Sequence, residues 1–142
     1  MIYFDLDGTL ADLYNVDGWL DSLRKEDATP YLKAKGLVNL SHLARTLNKA
    51  KAKGHKIGII SWGSKNSSSA YLKKVASAKK KWLKVHLPSV EWDRVEIVAY
   101  GTPKETFKQD GDVLFDDEPL NRKNWGKGAY SEKEIFKFFV DK

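Results

Sequence analysis

Apolar residues in this chain fall into short unbroken runs separated by longer stretches of helical spacing. Ile2 to Leu6 is the first run and Lys56-Ile-Gly-Ile-Ile60 the second. Val95 to Ala99, within Asp93 to Tyr100, and Asp112 to Phe115 are the third and fourth. The second does not alternate between apolar and polar, which is the pattern of a strand buried on both faces. Between the first two, Leu37 to Ala52 carries Leu37, Leu40, Leu43, Ala44, Leu47 and Ala50 on one stripe, with Ser41 near its start and Gly54 as its stop. Ala70 to Leu87 repeats the pattern with Tyr71, Val75, Ala78, Trp82 and Val85, and Pro88 closes it. Lys73, Lys74, Lys80, Lys81 and Lys84 gather on roughly the opposite side, as a solvated face does. Glu134 to Val140 predicts a closing amphipathic helix. Strands alternating with helices imply parallel βαβ crossovers. The expected class is therefore α/β, a Rossmann-like three-layer sandwich with a mainly parallel sheet, in one domain over 1–142.

Three segments depart from this rhythm. In Leu10 to Gly36, the residues Asp12, Tyr14, Asn15, Asp17 and Gly18 suggest a turn or short hairpin. Trp19, Leu20 and Leu23 then give a brief helical spacing, and Pro30 and Gly36 punctuate the end. Fewer than about 40 residues rarely form a core of their own, so a short flap is expected at about 10–36. Ser61 to Ser69 is a run of small hydroxyls that supplies turn residues and an N-cap. Pro103 suits the first turn of a short helix.

Composition narrows the class. The 142 residues are 42% hydrophobic and 31% charged, with five Trp, six Tyr and six Phe, which argues against disorder. There is no cysteine, so disulfides and thiolate metal sites are excluded. No apolar run approaches membrane-spanning length, and the first strand begins at residue 2, so a cytoplasmic protein without a leader or membrane partner is expected. The formal charge of +6 and pI near 9.4 favour anionic partners in general. Solubility alone explains such an excess more often than a dedicated nucleic-acid surface does, and nucleic acid stays open as a partner.

Candidate chemistry lies at the strand ends. The first strand runs into Asp5 and Asp7, followed by Gly8 and Thr9, and the fourth runs into Asp116 and Asp117. Ligands in open α/β sheets collect beyond the carboxyl ends of the strands. If the two strands are parallel neighbours, several carboxylates meet there and raise one another's pKa unless a cation balances them. Oxygen ligands of this kind suit Mg²⁺. Zinc is disfavoured because His42, His55 and His86 lack ligand spacing. Alone, Asp5-Leu-Asp7-Gly8-Thr9 reads equally well as a solvated turn.

The combination changes that balance. Asp5-Leu-Asp7-Gly8-Thr9, an apolar strand ending in Ser61, Lys104, and Phe115-Asp116-Asp117 stand in the order of four motifs, and over residues 2 to 121 the chain resembles the haloacid dehalogenase-like (HAD) superfamily. It is also similar to small phage-type members of that group. The resemblance implies a minimal cap and a Mg²⁺-dependent phosphatase working through a phosphoaspartyl intermediate. It implies Asp5 as nucleophile, Asp7 as general acid/base, Ser61 with a nearby backbone N–H as phosphoryl ligand, and Lys104 as charge neutraliser. Asp5, the main-chain carbonyl of Asp7 and an acid of the final pair would hold Mg²⁺; the related motif pattern puts that acid at Asp117, with Asp116 orienting Lys104 or a metal-bound water. Asn121 falls where many relatives carry a further acid. Thr9, Tyr14, Trp62 and Gly63 are the expected substrate contacts, with Asn15, Asp17 and Trp19 as further candidates and Trp19 equally suited to the core. The expected substrate is a nucleotide or other small phosphorylated metabolite, which would make the chain a nucleotidase in the first case. The alternatives are a phosphatase acting on nucleic-acid ends and a catalytically weak binding module.

Overall fold

The computed structural model describes residues 1–140. Strand β1 (Ile2–Phe4) is followed by a two-residue strand β2 (Ala11–Asp12), a 3-10 turn over Leu13–Asn15, and helices α1 (Trp19–Arg24) and α2 (Thr29–Lys33). Strand β3 (Lys35–Gly36) pairs antiparallel with β2, and helix α3 (Leu40–Ala52) leads to β4 (Ile57–Trp62). Helix α4 (Ser69–His86), β5 (Arg94–Val98), a 3-10 turn over Lys104–Phe107 and β6 (Val113–Phe115) follow. The described chain closes with α5 (Pro119–Trp125), β7 (Ala129–Tyr130), a 3-10 turn over Glu132–Glu134 and α6 (Ile135–Phe139).

The main sheet is parallel throughout, in the order β5-β4-β1-β6-β7. From β1 the chain moves outward to β4 and β5, then returns to β6 on the other side, so the strand order reverses at β1. A ligand crevice opens at such a switch point, beyond the carboxyl ends of the strands. Phe4 pairs with both Ile59 and Phe115, which puts the next residues, Asp5 and Asp116, side by side at that edge.

One face of the sheet packs Ile2, Phe4, Ile57, Ile59 and Phe115 against Leu43 and Leu47 of α3, Trp82 of α4 and Ile135 of α6. Phe4 and Phe115 stack at 5.2 Å, an arrangement that adds about 0.5–1.5 kcal/mol to the area they bury. The other face is thinner, with Tyr3, Ile60 and Leu114 covered by Trp125 of α5 and by Phe107. Gly58 lies opposite Tyr3, and a β-carbon there would meet the Tyr3 ring at 2.9 Å, so glycine lets the ring lie flat on the strand.

Several predicted boundaries shift. The first strand stops at Phe4 rather than Leu6 because the chain turns tightly after Asp5, with Leu6 O accepting from the N–H groups of Thr9, Leu10 and Ala11. The second strand continues through Ser61 to Trp62, so Ser61 belongs to the sheet and not to the hydroxyl-rich turn. Helix α3 begins at Leu40, after Asn39 accepts from His42 N–H, a cap worth about 1 kcal/mol. Pro103 precedes its 3-10 turn as N-cap. Val85, expected on the buried stripe of α4, is 63% exposed. Pro30, read as an end signal, sits inside the first turn of α2, where its missing N–H costs nothing.

The segment at 10–36 is a small cap docked on α4. Leu13 and Tyr31 pack with Tyr71, Val75 and Ala78, partly buried Trp19 joins them, and Trp82 Nε1 donates to Ala34 O at 2.7 Å. At the N-terminus of α4 the Glu26 carboxylate accepts from Ser68 N–H and Oγ, at 3.1 and 2.8 Å.

Candidate active site

Asp5 follows β1 directly and is buried, while Gly8, at φ 82°, lets the chain reverse immediately after Asp7. Asp116 follows β6 and is fully buried. Carboxylate oxygens of Asp5, Asp116 and Asp117 all lie within 4.8 Å of one another, a spacing that could hold one cation. All three donors are hard oxygens with no sulfur or imidazole among them, a set that fits Mg²⁺ better than zinc.

Lys104 reaches this cluster from the 3-10 turn after β5. Its ammonium lies 3.0 Å from Asp5 Oδ1 and 2.7 Å from Asp116 Oδ2, and is 5.5 Å from the centre of the Trp62 ring. Burial pulls the Lys104 ammonium down, and the charges of Asp5 and Asp116 more than offset it, leaving its pKa above the ordinary lysine value. Asp116 also accepts from Glu118 N–H at 2.9 Å and Asn121 Nδ2 at 3.1 Å, so its oxygens are largely committed to orienting Lys104 and the start of α5. Asp117 has fewer partners. Burial first, and then the neighbouring Asp5 carboxylate, push its pKa up to about 8 in the absence of a cation. A half-buried acid of this kind with unspent lone pairs is the one a cation would relieve most.

Asp7 stands apart from the oxygen cluster. Its Oδ2 is 2.7 Å from Lys79 Nζ of α4, and burial lifts its pKa more than Lys79 lowers it. Lys79 also donates to Ser61 Oγ at 2.7 Å, which brings Ser61 into the same network. Sequence reading passed over Lys79. The signal was present, since Val75, Ala78, Lys79 and Trp82 follow i, i+3, i+4, i+7 and so share the buried face. A lysine at an apolar position of a long helix needs an anionic partner, and the chain had one to offer in Asp7.

Asp5, Asp7, Ser61, Trp62, Gly63 and Lys104 all border one cleft of 960 Å³. Asp117 borders it too, and the cap contributes Tyr14, Trp19 and Tyr31. Two aromatic pairs line the cleft: Tyr14 with Trp19, centroids 5.2 Å apart, and Trp62 with Tyr100 at 5.0 Å. One expectation does not fit this geometry. Thr9 is fully buried and does not line the cleft; its hydroxyl donates to Asp5 Oδ2 at 3.2 Å, so it supports Asp5 from behind instead of meeting substrate. Gly63 does line the cleft, but its N–H is spent on Val98 O at 2.7 Å and is not free for a phosphoryl oxygen.

The chain has a Rossmann-like α/β core with a five-stranded parallel sheet and a minimal cap. It superimposes on the crystal structure of a D,D-heptose 1,7-bisphosphate phosphatase from Burkholderia thailandensis, with a TM-score of 0.58. The match covers 99% of this chain and 98% of the other at 11% identity, so the likeness is one of fold. No protein-family model matches the sequence, and no curated protein does either. Among the described residues no helix is long and apolar enough to cross a membrane.

Proposed function

We propose that this chain is a Mg²⁺-dependent phosphomonoesterase acting on a small phosphorylated metabolite through a phosphoaspartyl intermediate. The observation that carries the proposal is the junction of β1 and β6, where buried Asp5 is ion-paired to Lys104 beside Asp116 and Asp117, with Asp7 two residues on. The chemistry follows from the groups present. An Asp5 carboxylate oxygen attacks the phosphorus, the P–O ester bond breaks, and Asp7 gives its proton to the departing oxygen. In the second step Asp7 takes a proton from water, whose oxygen attacks the phosphorus, releasing inorganic phosphate and restoring Asp5. The raised pKa of Asp7 suits a group that must hold a proton for the first step. Lys104 and the Ser61 hydroxyl offset charge on the transferring group. Asp5, Asp117 and the Asp7 carbonyl would hold Mg²⁺, with Asp116 alongside; bound there, the ion neutralises carboxylate and phosphoryl charge.

The phosphatase with the same fold acts, by its name, on a sugar bisphosphate, and a sugar phosphate is one substrate class to test. The two aromatic pairs at the cleft favour a second: a nucleotide, whose base would stack on Tyr14 or Tyr100, 49% and 52% exposed. Phosphate release should be measured with Mg²⁺ across sugar phosphates, nucleotides and 5′-phosphorylated oligonucleotides. Release from a small metabolite, lost with EDTA and in Asp5→Asn, is the expected result. Preference for the oligonucleotides would move the substrate to nucleic-acid ends, and undiminished turnover by Asp5→Asn would remove the assignment.

A further inference from the structure

We infer that Lys79 is a positioning residue that fixes the Asp7 carboxylate for proton transfer, an inference that rests on the phosphatase reading. Lys79 is 1% exposed and does not border the cleft, so it reaches no substrate directly. An ammonium has three N–H donors. Here the three acceptors are Asp7 Oδ2 at 2.7 Å, Ser61 Oγ at 2.7 Å and the Trp62 carbonyl at 2.6 Å. All three belong to residues at the cleft, and none is a distant structural carbonyl. The Tyr31 ring of the cap covers the ammonium, its centre 5.1 Å away, and closes it off from water.

This network has two consequences for Asp7 and Ser61. With Oδ2 bound to a rigid buried partner, the Asp7 side chain is held in one orientation, and Oδ1 is the oxygen left to exchange a proton. A hydroxyl has one donor and two acceptor lone pairs. Because Ser61 Oγ accepts from Lys79, its own proton is available to a phosphoryl oxygen. The rest of the buried face of α4 is apolar, built from Val75, Ala78 and Trp82. A lysine there serves no packing need that an aliphatic side chain would not meet, and two of its three hydrogen-bond acceptors are the proposed catalytic groups Asp7 and Ser61.

The test compares phenyl phosphate with 4-nitrophenyl phosphate, nearly equal in shape but different in how much their leaving oxygens need a proton. In Lys79→Met, kcat/KM should fall about 10- to 100-fold on phenyl phosphate, part of the roughly 10²–10⁴-fold due to general acid catalysis, and at least about fivefold less on the nitrophenyl ester. In an Asp7→Asn background, adding Lys79→Met should change kcat/KM by less than about tenfold, since the loss through Asp7 is already taken and only the part that runs through Ser61 remains. The double variant buries no unpaired charge, and Asp7→Asn alone leaves Lys79 hydrogen-bonded to Ser61 Oγ and the Trp62 carbonyl, so the comparison reads out even if Lys79→Met alone does not fold. Equal losses on both esters, or a further tenfold loss in the double variant, would overturn the inference while wild-type turnover leaves the phosphatase reading standing. A wild-type protein inert toward both esters with Mg²⁺ would overturn both.

Discussion

Replacing Lys104 with methionine isolates the electrostatics of the site. The side chains are close in size, so little packing is lost. What changes is that the carboxylates of Asp5 and Asp116, 3.0 and 2.7 Å from the ammonium, lose the cation they are paired with in a buried setting. Lys104 is 2% exposed and Asp116 fully buried, so solvent screens the loss poorly. Breaking a buried ion pair by removing one partner costs about 3–5 kcal/mol, mostly the penalty of the charge left behind. For a chain of this length each kcal/mol moves Tm by about 3 °C, which gives a fall of about 9–15 °C without metal. Mg²⁺ at a hundred times its Kd stabilises the native state by about 2.7 kcal/mol. In the variant the ion also replaces the missing positive charge, so the Mg²⁺-induced rise in Tm should exceed that of the wild type. Thermal unfolding followed by circular dichroism, with EDTA and then with Mg²⁺, measures both quantities. A fall of less than about 3 °C in EDTA, or equal Mg²⁺ effects in the two proteins, would refute the view that Lys104 and a cation share the neutralisation of this cluster.

The site makes other measurable demands. Asp7→Asn should lower kcat/KM for phenyl phosphate by roughly 10²–10⁴-fold, and a loss under tenfold would remove Asp7 from proton transfer. Asp117 has a native pKa raised to about 8, so between its ordinary value near 4 and about 8 the metal-free native state holds a proton that the unfolded chain lacks. Stability in EDTA should therefore fall as pH rises through that window, while Mg²⁺ affinity rises because the ion no longer has to displace the proton; thermal melts and Mg²⁺ titrations at pH 6 and 8.5 check both directions. Tyr14→Ala should raise KM for a nucleotide by about 1–3 kcal/mol of lost stacking and leave KM for a sugar phosphate nearly unchanged. Equal effects on both would remove the stacking role, and Tm should barely move because Tyr14 is 49% exposed.

The residues that reveal the fold are those whose burial is dictated by local pattern. Ile57, Ile59 and Ile60 form a continuous apolar run, and a run of that kind needs cover on both faces wherever the rest of the chain goes. Leu43, Leu47 and Ala50 similarly specify the inner face of α3. The edge strand β7 was not legible, because Ala129 and Tyr130 carry no periodicity and pair only through the ladder with Leu114 and Phe115. The β2–β3 ribbon is equally silent, with two residues in each strand. Helix α5 is short and polar, its register set by the Asp116 contacts to Glu118 and Asn121. At the site, motif order brought Asp5, Asp116, Asp117 and Lys104 together in the reading. The burial of Lys79 was legible from its helical phase, which sets it apart from five solvated lysines on α4, but its pairing with Asp7 comes from the tertiary fold. Thr9 failed as a substrate contact for a similar reason, since the tight turn after Leu6 folds it beneath Asp5.

The central claim is that Asp5 becomes phosphorylated during turnover. The protein should be mixed with a substrate and Mg²⁺, quenched during turnover and reduced with borohydride, which converts an aspartyl phosphate to homoserine, and its peptides then read by mass spectrometry. Homoserine at position 5, absent without Mg²⁺ and absent in Asp5→Asn, is the result the account predicts. Phosphate release during turnover with unmodified aspartate at position 5 would contradict it.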